Sequence, residues 1–175
     1  MAQLLMRRPH LRDLPTVHPL PAGYCLREYV APDDLPALNA TLQEAFAEPW
    51  DESRTRRELL DVPGVKAIYV IDHAGQVVGT TSSKIVPDLF PGSGYVHWVA
   101  VADAHLRRGL AAVLLHRVLH DFVERGHRDA VLETDDHRIP AISAYLRFGF
   151  TPVYDVRGED HRERWSAIFQ ALFGR

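Results

Sequence analysis

One run does most to limit what this chain can fold into. From Leu110 to Val123 the apolar residues come in pairs four residues apart: Leu110/Ala111, Leu114/Leu115, Val118/Leu119 and Phe122/Val123. That period keeps one face of a long helix apolar, and the helix is expected to begin around Arg107. Arg108, Arg117, Asp121 and Glu124 fall on the other side, and Gly126 stands where a C-terminal cap belongs. Such a helix must lay its stripe on another layer. Tyr95–Val101 before it and Asp129–Thr134 after it are short runs rich in β-formers. Strand, long helix, strand is the unit of an α/β protein with a central sheet.

The rest of the chain extends this order. Tyr24–Val30 mixes β-formers with polar residues and reads as the first strand. Pro32 and Asp33 open a helix carrying Leu35, Leu38, Leu42, Ala45 and Phe46 at helical spacing. A more polar helix spans roughly Asp51 to Leu60. Val65–Ile71 and Gln76–Val86 read as a hairpin turning at Gly75. After the strand 129–134, Ile139–Phe148 is a short helix closed by Gly149, and Phe150–Val156 is a last strand. Trp165, Ile168, Phe169 and Leu172 share one face of a C-terminal helix. They are too many to leave exposed together, so they pack on the domain or on a second subunit, a homodimer. Residues 1–23 carry Pro9, Pro15, Pro19 and Pro21 and read as an irregular, proline-rich arm. The expected organisation is thus an arm over 1–23, a domain over 24–156 and a helical tail over 157–175.

At 175 residues the chain has room for one core rather than two. A net charge of −3 offers no basic face for nucleic acid and no polybasic contact for a membrane. No stretch approaches the ~20 apolar residues of a membrane span, and the N-terminus lacks a signal-peptide pattern. Cys25 is the only cysteine, which excludes an internal disulfide and points to a reducing, cytoplasmic setting. It reads as a small buried residue. The ten histidines show no metal-ligand spacing, so no metal is expected.

Chemistry concentrates at Val99-Ala100-Val101-Ala102-Asp103-Ala104-His105-Leu106-Arg107-Arg108-Gly109-Leu110-Ala111. A strand runs into a loop, two arginines and a glycine, then the long helix. A helix N-terminus presents unpaired N–H groups and partial positive charge, which suits a phosphate. Gly109 and Ala111 keep the backbone accessible, and Arg107 and Arg108 add charge-assisted hydrogen bonds. This is a pyrophosphate site in outline. A plain connection with two solvated arginines is the alternative.

The same stretch resembles the acetyl-CoA signature of the GNAT superfamily of N-acetyltransferases, Gln/Arg-x-x-Gly-x-Gly/Ala. Gly109 and Ala111 match its last two positions, and Leu106 replaces the first. Downstream, Ala141-Ile142-Ser143-Ala144-Tyr145-Leu146-Arg147-Phe148-Gly149-Phe150 resembles the family's Ala-Ile-x-x-Tyr-x-x-x-Gly-Phe segment. The family often has asparagine seven residues before that tyrosine, where this chain has Arg138. The resemblance implies a mixed central sheet splayed between the fourth and fifth expected strands, 95–101 and 129–134, and flanked by helices. The pantetheine arm of acetyl-CoA would lie in the splay, paired with the peptide groups of Val99 and Val101, above a phosphate loop of Arg107, Arg108, Gly109, Leu110 and Ala111. An amine would attack the thioester directly, without an acyl-enzyme. A non-catalytic acyl-CoA-binding module of the same fold is the rival reading.

For that chemistry Tyr145 stands at the family's usual position for the acid that protonates the leaving thiolate. His97 has the unperturbed range of a proton relay and shares a strand face, by the period of two, with Tyr95, Val99 and Val101. Glu133, at the end of the next strand, is the other candidate base, and a water chain a further one. Packing roles are the alternatives for Tyr145 and His97. Asp135 and Asp136 could receive a cationic acceptor or cap the following turn. The acceptor is an amine of a small molecule or peptide.

Overall fold

The computed structural model describes residues 3–174. In chain order it contains β1 (Leu4–Arg8), β2 (Tyr24–Glu28), α1 (Leu35–Phe46), α2 (Glu52–Thr55), β3 (Val65–His73), β4 (Gln76–Lys84), β5 (Gly94–Val101), α3 (Leu110–Glu124), β6 (Ala130–Thr134), α4 (Ile139–Arg147), β7 (Thr151–Val153), β8 (Asp155–Val156), β9 (Glu159–Asp160) and α5 (Arg162–Phe173). A seven-stranded mixed sheet runs β2-β3-β4-β5-β6-β1-β7, and β8-β9 is a separate hairpin. Among the described residues only the β5–β6 pair is parallel; α3 is its crossover.

Alternation along β3 and β4 sorts the two faces. Val70 and Val77 pack with Leu38 and Leu42 of α1, while Tyr69, Ile71 and Val78 pack with Leu110 and Leu114 of α3. Leu115, Val118, Leu119 and Phe122 continue the α3 stripe into the core under β6 and α4. Asp121 departs from the polar side on which its spacing places it. It is 3% exposed and held by Tyr69 at 2.7 Å and Arg125 at 2.6 Å. In α5, Trp165 and Ile168 are buried in the same core as Tyr145 and Phe148.

The largest difference from the sequence reading lies at the N-terminus. Residues 4–8 are not an irregular arm but β1, antiparallel to β6 and β7 and wedged between them. Leu4 and Met6 point into the α3 core, and Leu5 faces the other way against Val131 and Val156. Arg8 is buried; its guanidinium donates to the carbonyls of Phe148, Arg12 and Asp13. The prolines that argue against regular structure begin only at Pro9, one residue after the strand ends. Three smaller departures follow. The strand expected over 150–156 breaks into β7 and β8. The second helix widens into a π-type turn over Arg56–Leu60. Cys25 is exposed on the edge strand β2, not buried.

Candidate active site

β5 and β6 are paired only at their beginnings, Gly94 with Ala130 and Tyr95 with Val131. Beyond Tyr95 the strands part and leave one flank of β5 open. Two residues later β5 bulges. Thr80 faces Ala100 but Ser82 faces His97, and Trp98 takes φ +50°. The bulge overturns the expected common face of Tyr95, His97, Val99 and Val101. Val99 and Val101 pack toward α3, whereas Trp98 and Ala100 pack toward α1. An extra residue resets the period of two. Ala102 donates its N–H to Val78 of β4 at 2.9 Å, so alternation turns the peptide groups of Val101 and Val99 toward the open flank.

At the end of β5 a short turn, Asp103–His105, leads into the loop before α3. Arg107 and Gly109 both take positive φ, +59° and +79°, and the helix therefore starts at Leu110, not at Arg107. A β-carbon on Gly109 would meet nothing within 4 Å; its conformation, not crowding, is what suits glycine here. The Ala112 and Val113 N–H groups both reach the Gly109 carbonyl. Among the described residues, no acceptor faces the N–H groups of residues 107–111, and no side chain caps the helix. Arg107 and Arg108 are exposed and form no ion pair among the described residues. A run of free donors beside two uncompensated cations, at a helix start, fits the pyrophosphate of a CoA thioester. Two contacts that sequence could not show pin this loop. Tyr24 Oη lies 2.8 Å from His105 Nδ1, and the Asp103 N–H donates to Glu44 at 3.0 Å.

Where β5 and β6 part lies a cleft of about 370 Å³. It brings together the three residues singled out for proton transfer: Tyr145, Glu133 and His97. Tyr145 projects from α4 and is 9% exposed; its hydroxyl has no partner among the described residues. Burial pushes its phenol up to about 12, against a smaller opposing pull from Arg138. Glu133 is held from both sides. Its Oε2 accepts from Tyr95 Oη at 2.9 Å and its Oε1 from Arg157 at 3.0 Å. Each oxygen keeps a lone pair for a further proton donor. Tyr95 and Arg157 were not anticipated, because the latter sits in the β8–β9 turn, far along the chain.

His97 lies in the cleft with Nδ1 3.1 Å from Ser82 Oγ. Burial, helped by the charge of Lys84, lowers its pKa to about 3. A neutral imidazole with so acidic a conjugate acid is a poor proton acceptor, which weighs against the relay role. The same shift has a stability consequence. A depressed pKa means that the unfolded chain binds the proton first, so the contribution is full above pH ~6.5 and is lost as pH falls toward 3. His97→Gln is expected to lessen the acid destabilisation in that window, read as urea midpoints at pH 7, 5 and 4. Parallel losses in variant and parent would refute the shift.

The remaining polar residues are mostly committed. Asp136 is ion-paired with Arg164 of α5, which ties the C-terminal helix to the loop after β6. Asp135 accepts from Arg138 at 3.3 Å and from Gln3 at 3.1 Å, so the N-terminal segment reaches the cleft wall. Among the described residues, no group of three or more metal-ligating side chains is arranged to hold an ion, and no helix is long and apolar enough to cross a membrane.

Comparison with known proteins agrees with this geometry. A mycothiol acetyltransferase of Pseudarthrobacter chlorophenolicus is 33% identical over 150 residues, which are 79% of this chain and 46% of that protein. The chain spans about half the length of the curated relatives it matches. A GCN5-related N-acetyltransferase from Sphaerobacter thermophilus shares the fold with a TM-score of 0.65 at 24% identity, over 87% of this chain and 50% of that one. A GNAT family N-acetyltransferase from Escherichia coli, solved in complex with CoA, gives a TM-score of 0.60 at 26% identity, over 77% of this chain and 72% of that one. The model of the acetyltransferase (GNAT) family matches residues 35–150, a span that holds the splayed strands, the loop before α3 and the Tyr145 helix. The chain therefore belongs to the acetyltransferase (GNAT) family.

Proposed function

We propose that the chain is an acetyl-CoA-dependent N-acetyltransferase that moves the acetyl group to a primary amine of a small molecule or peptide by direct attack. The observation that carries this reading is the parting of β5 from β6, which leaves a flank of β5 open between the cleft lined by Tyr145 and the loop before α3. Free N–H groups and two unpaired arginines receive the diphosphate. The open flank of β5 pairs with the pantetheine through the peptide groups of Val99 and Val101. The cleft holds a buried phenol with a free hydroxyl.

The residues divide the proton work. A free alkyl amine has a pKa near ~10 and must shed a proton before it attacks. Glu133 is the acceptor, through a water, because it is the carboxylate of the cleft that Tyr95 and Arg157 hold in place. The amine nitrogen then adds to the thioester carbonyl, the C–S bond breaks, Tyr145 gives its proton to the departing sulfur, and the proton that the new amide nitrogen sheds returns through water to the phenolate. A pKa near 12 keeps that proton on the phenol at every physiological pH. His97 contributes a neutral hydrogen-bonding wall. The exposed free thiol of Cys25 fits a reducing, cytoplasmic compartment.

Gly109→Glu tests the reading where it is most exposed. A carboxylate would face the diphosphate, and the side chain would have to adopt φ +79°. Acetyl-CoA affinity by isothermal titration is expected to fall by roughly a hundredfold or more, the effect of turning an anion site against its ligand. Unchanged affinity in a folded variant would refute the phosphate loop.

A further inference from the structure

Two arginines line the cleft, and the structure uses them differently. Arg54 is saturated. Its Nε donates to Glu58 at 3.2 Å, one terminal nitrogen to the Pro49 carbonyl at 2.8 Å and the other to Glu48 at 2.7 Å. Arg138 is not. Only its Nε is engaged, in a long contact of 3.3 Å to Asp135. Neither terminal nitrogen has a partner among the described residues. The guanidinium lies over the Phe46 ring, 4.3 Å from its centre, and the side chain is 24% exposed. Asp135 holds one edge of the fork. The remaining edge, with both terminal nitrogens, is left to pair with something planar and anionic.

We infer that Arg138 forms a carboxylate-reading subsite of the acceptor cleft, so that the substrate is an amine that also carries a carboxylate. This rests on the acetyltransferase reading and adds the substrate class to it. Two observations support it. Arg138 lines the same cleft as Tyr145, and its charge reaches that phenol. The other charged side chains of the cleft are already matched: Glu133 with Arg157, Glu48 with Arg54, and Asp135 with Gln3 as well as Arg138. A carboxylate preference over phosphate follows from the single planar edge on offer and from the neighbouring Asp135, which disfavours a second full negative charge.

The test compares each acid with its own amide. L-lysine and L-lysinamide, L-phenylalanine and its amide, and 4-aminobutyrate and its amide are offered with acetyl-CoA, and kcat/KM is expressed per free-base amine because amidation lowers an α-amine pKa. At least one acid is expected to exceed its amide by about tenfold or more, the scale of a charge-assisted pair. Arg138→Gln should collapse that ratio, while Arg54→Gln, whose nitrogens each already have a partner, should keep it. Succinyl-CoA against acetyl-CoA with a fixed amine distinguishes a carboxylate on the acyl group. A preference there that Arg138→Gln removes would place the carboxylate on the donor and overturn the acceptor subsite. Equal use of acids and amides, including failure to use either, also overturns the inference. So does a ratio that survives Arg138→Gln. Titration of the same protein with acetyl-CoA keeps the two claims apart: loss of that binding would sink the acetyltransferase reading itself.

Discussion

Met6→Asp is expected to unfold the protein. Met6 is fully buried, faces Leu132 on one side and Pro152 on the other, and lies in the core shared with α3, α4 and α5. An unpaired carboxylate there costs several kcal/mol, against a total stability of about 5–15 kcal/mol for a domain. Met6→Ala is the graded companion, with a loss of about 2–5 kcal/mol from transfer and cavity together. Urea midpoints followed by circular dichroism measure both. If residues 4–8 were an arm lying on the surface, both variants would melt like the parent, and that result would remove β1 from the sheet.

Tyr145→Phe is expected to lower kcat by about 10²-fold or more. The change removes one hydroxyl and almost no volume, so the packing of the ring against Phe150 survives. If the hydroxyl protonates the leaving thiolate, the loss falls on the transition state, and acetyl-CoA affinity moves little. General acid catalysis contributes ~10²–10⁴-fold, which sets the scale. A phenol near 12 also predicts that this group causes no fall in parental kcat below pH ~11, because a raised pKa keeps the donor protonated until then. The measurement needs an acceptor on which chemistry limits turnover. Equal kcat in variant and parent on such an acceptor would return Tyr145 to packing.

Legibility differed among the parts for physical reasons. The α3 stripe was plain because helix period is a local property: its six buried apolar residues from Leu110 to Phe122 are all members of the four-residue pairs, and only the buried Asp121 falls outside them. Its start was misplaced by three residues, because Arg107 adopts the left-handed region that nothing in an arginine announces. The face assignment on β5 failed at Trp98, because a bulge depends on pairing with β4 rather than on the strand's own residues. Of the proton-transfer candidates, Tyr145 and Glu133 were found with roles the cleft can support. His97 was found with a role its burial opposes, since desolvation cannot be read from one strand.

By itself the sequence determined the local pieces: the strand–loop–helix unit around Gly109, the Tyr145 segment that resembles a known family, and the hairpin that turns at Gly75. Each depends on neighbours within a few residues, where backbone geometry and polarity act directly. Only the tertiary structure decided what meets across the chain. β1 enters the sheet because Leu5 and Glu133 stand opposite each other across more than a hundred residues. Glu133 becomes a held carboxylate because Tyr95 and Arg157 arrive from other elements, and Arg138, lying over the Phe46 ring, keeps a free edge. These outcomes rest on burial and partner choice, which the folded contacts set and no local pattern encodes.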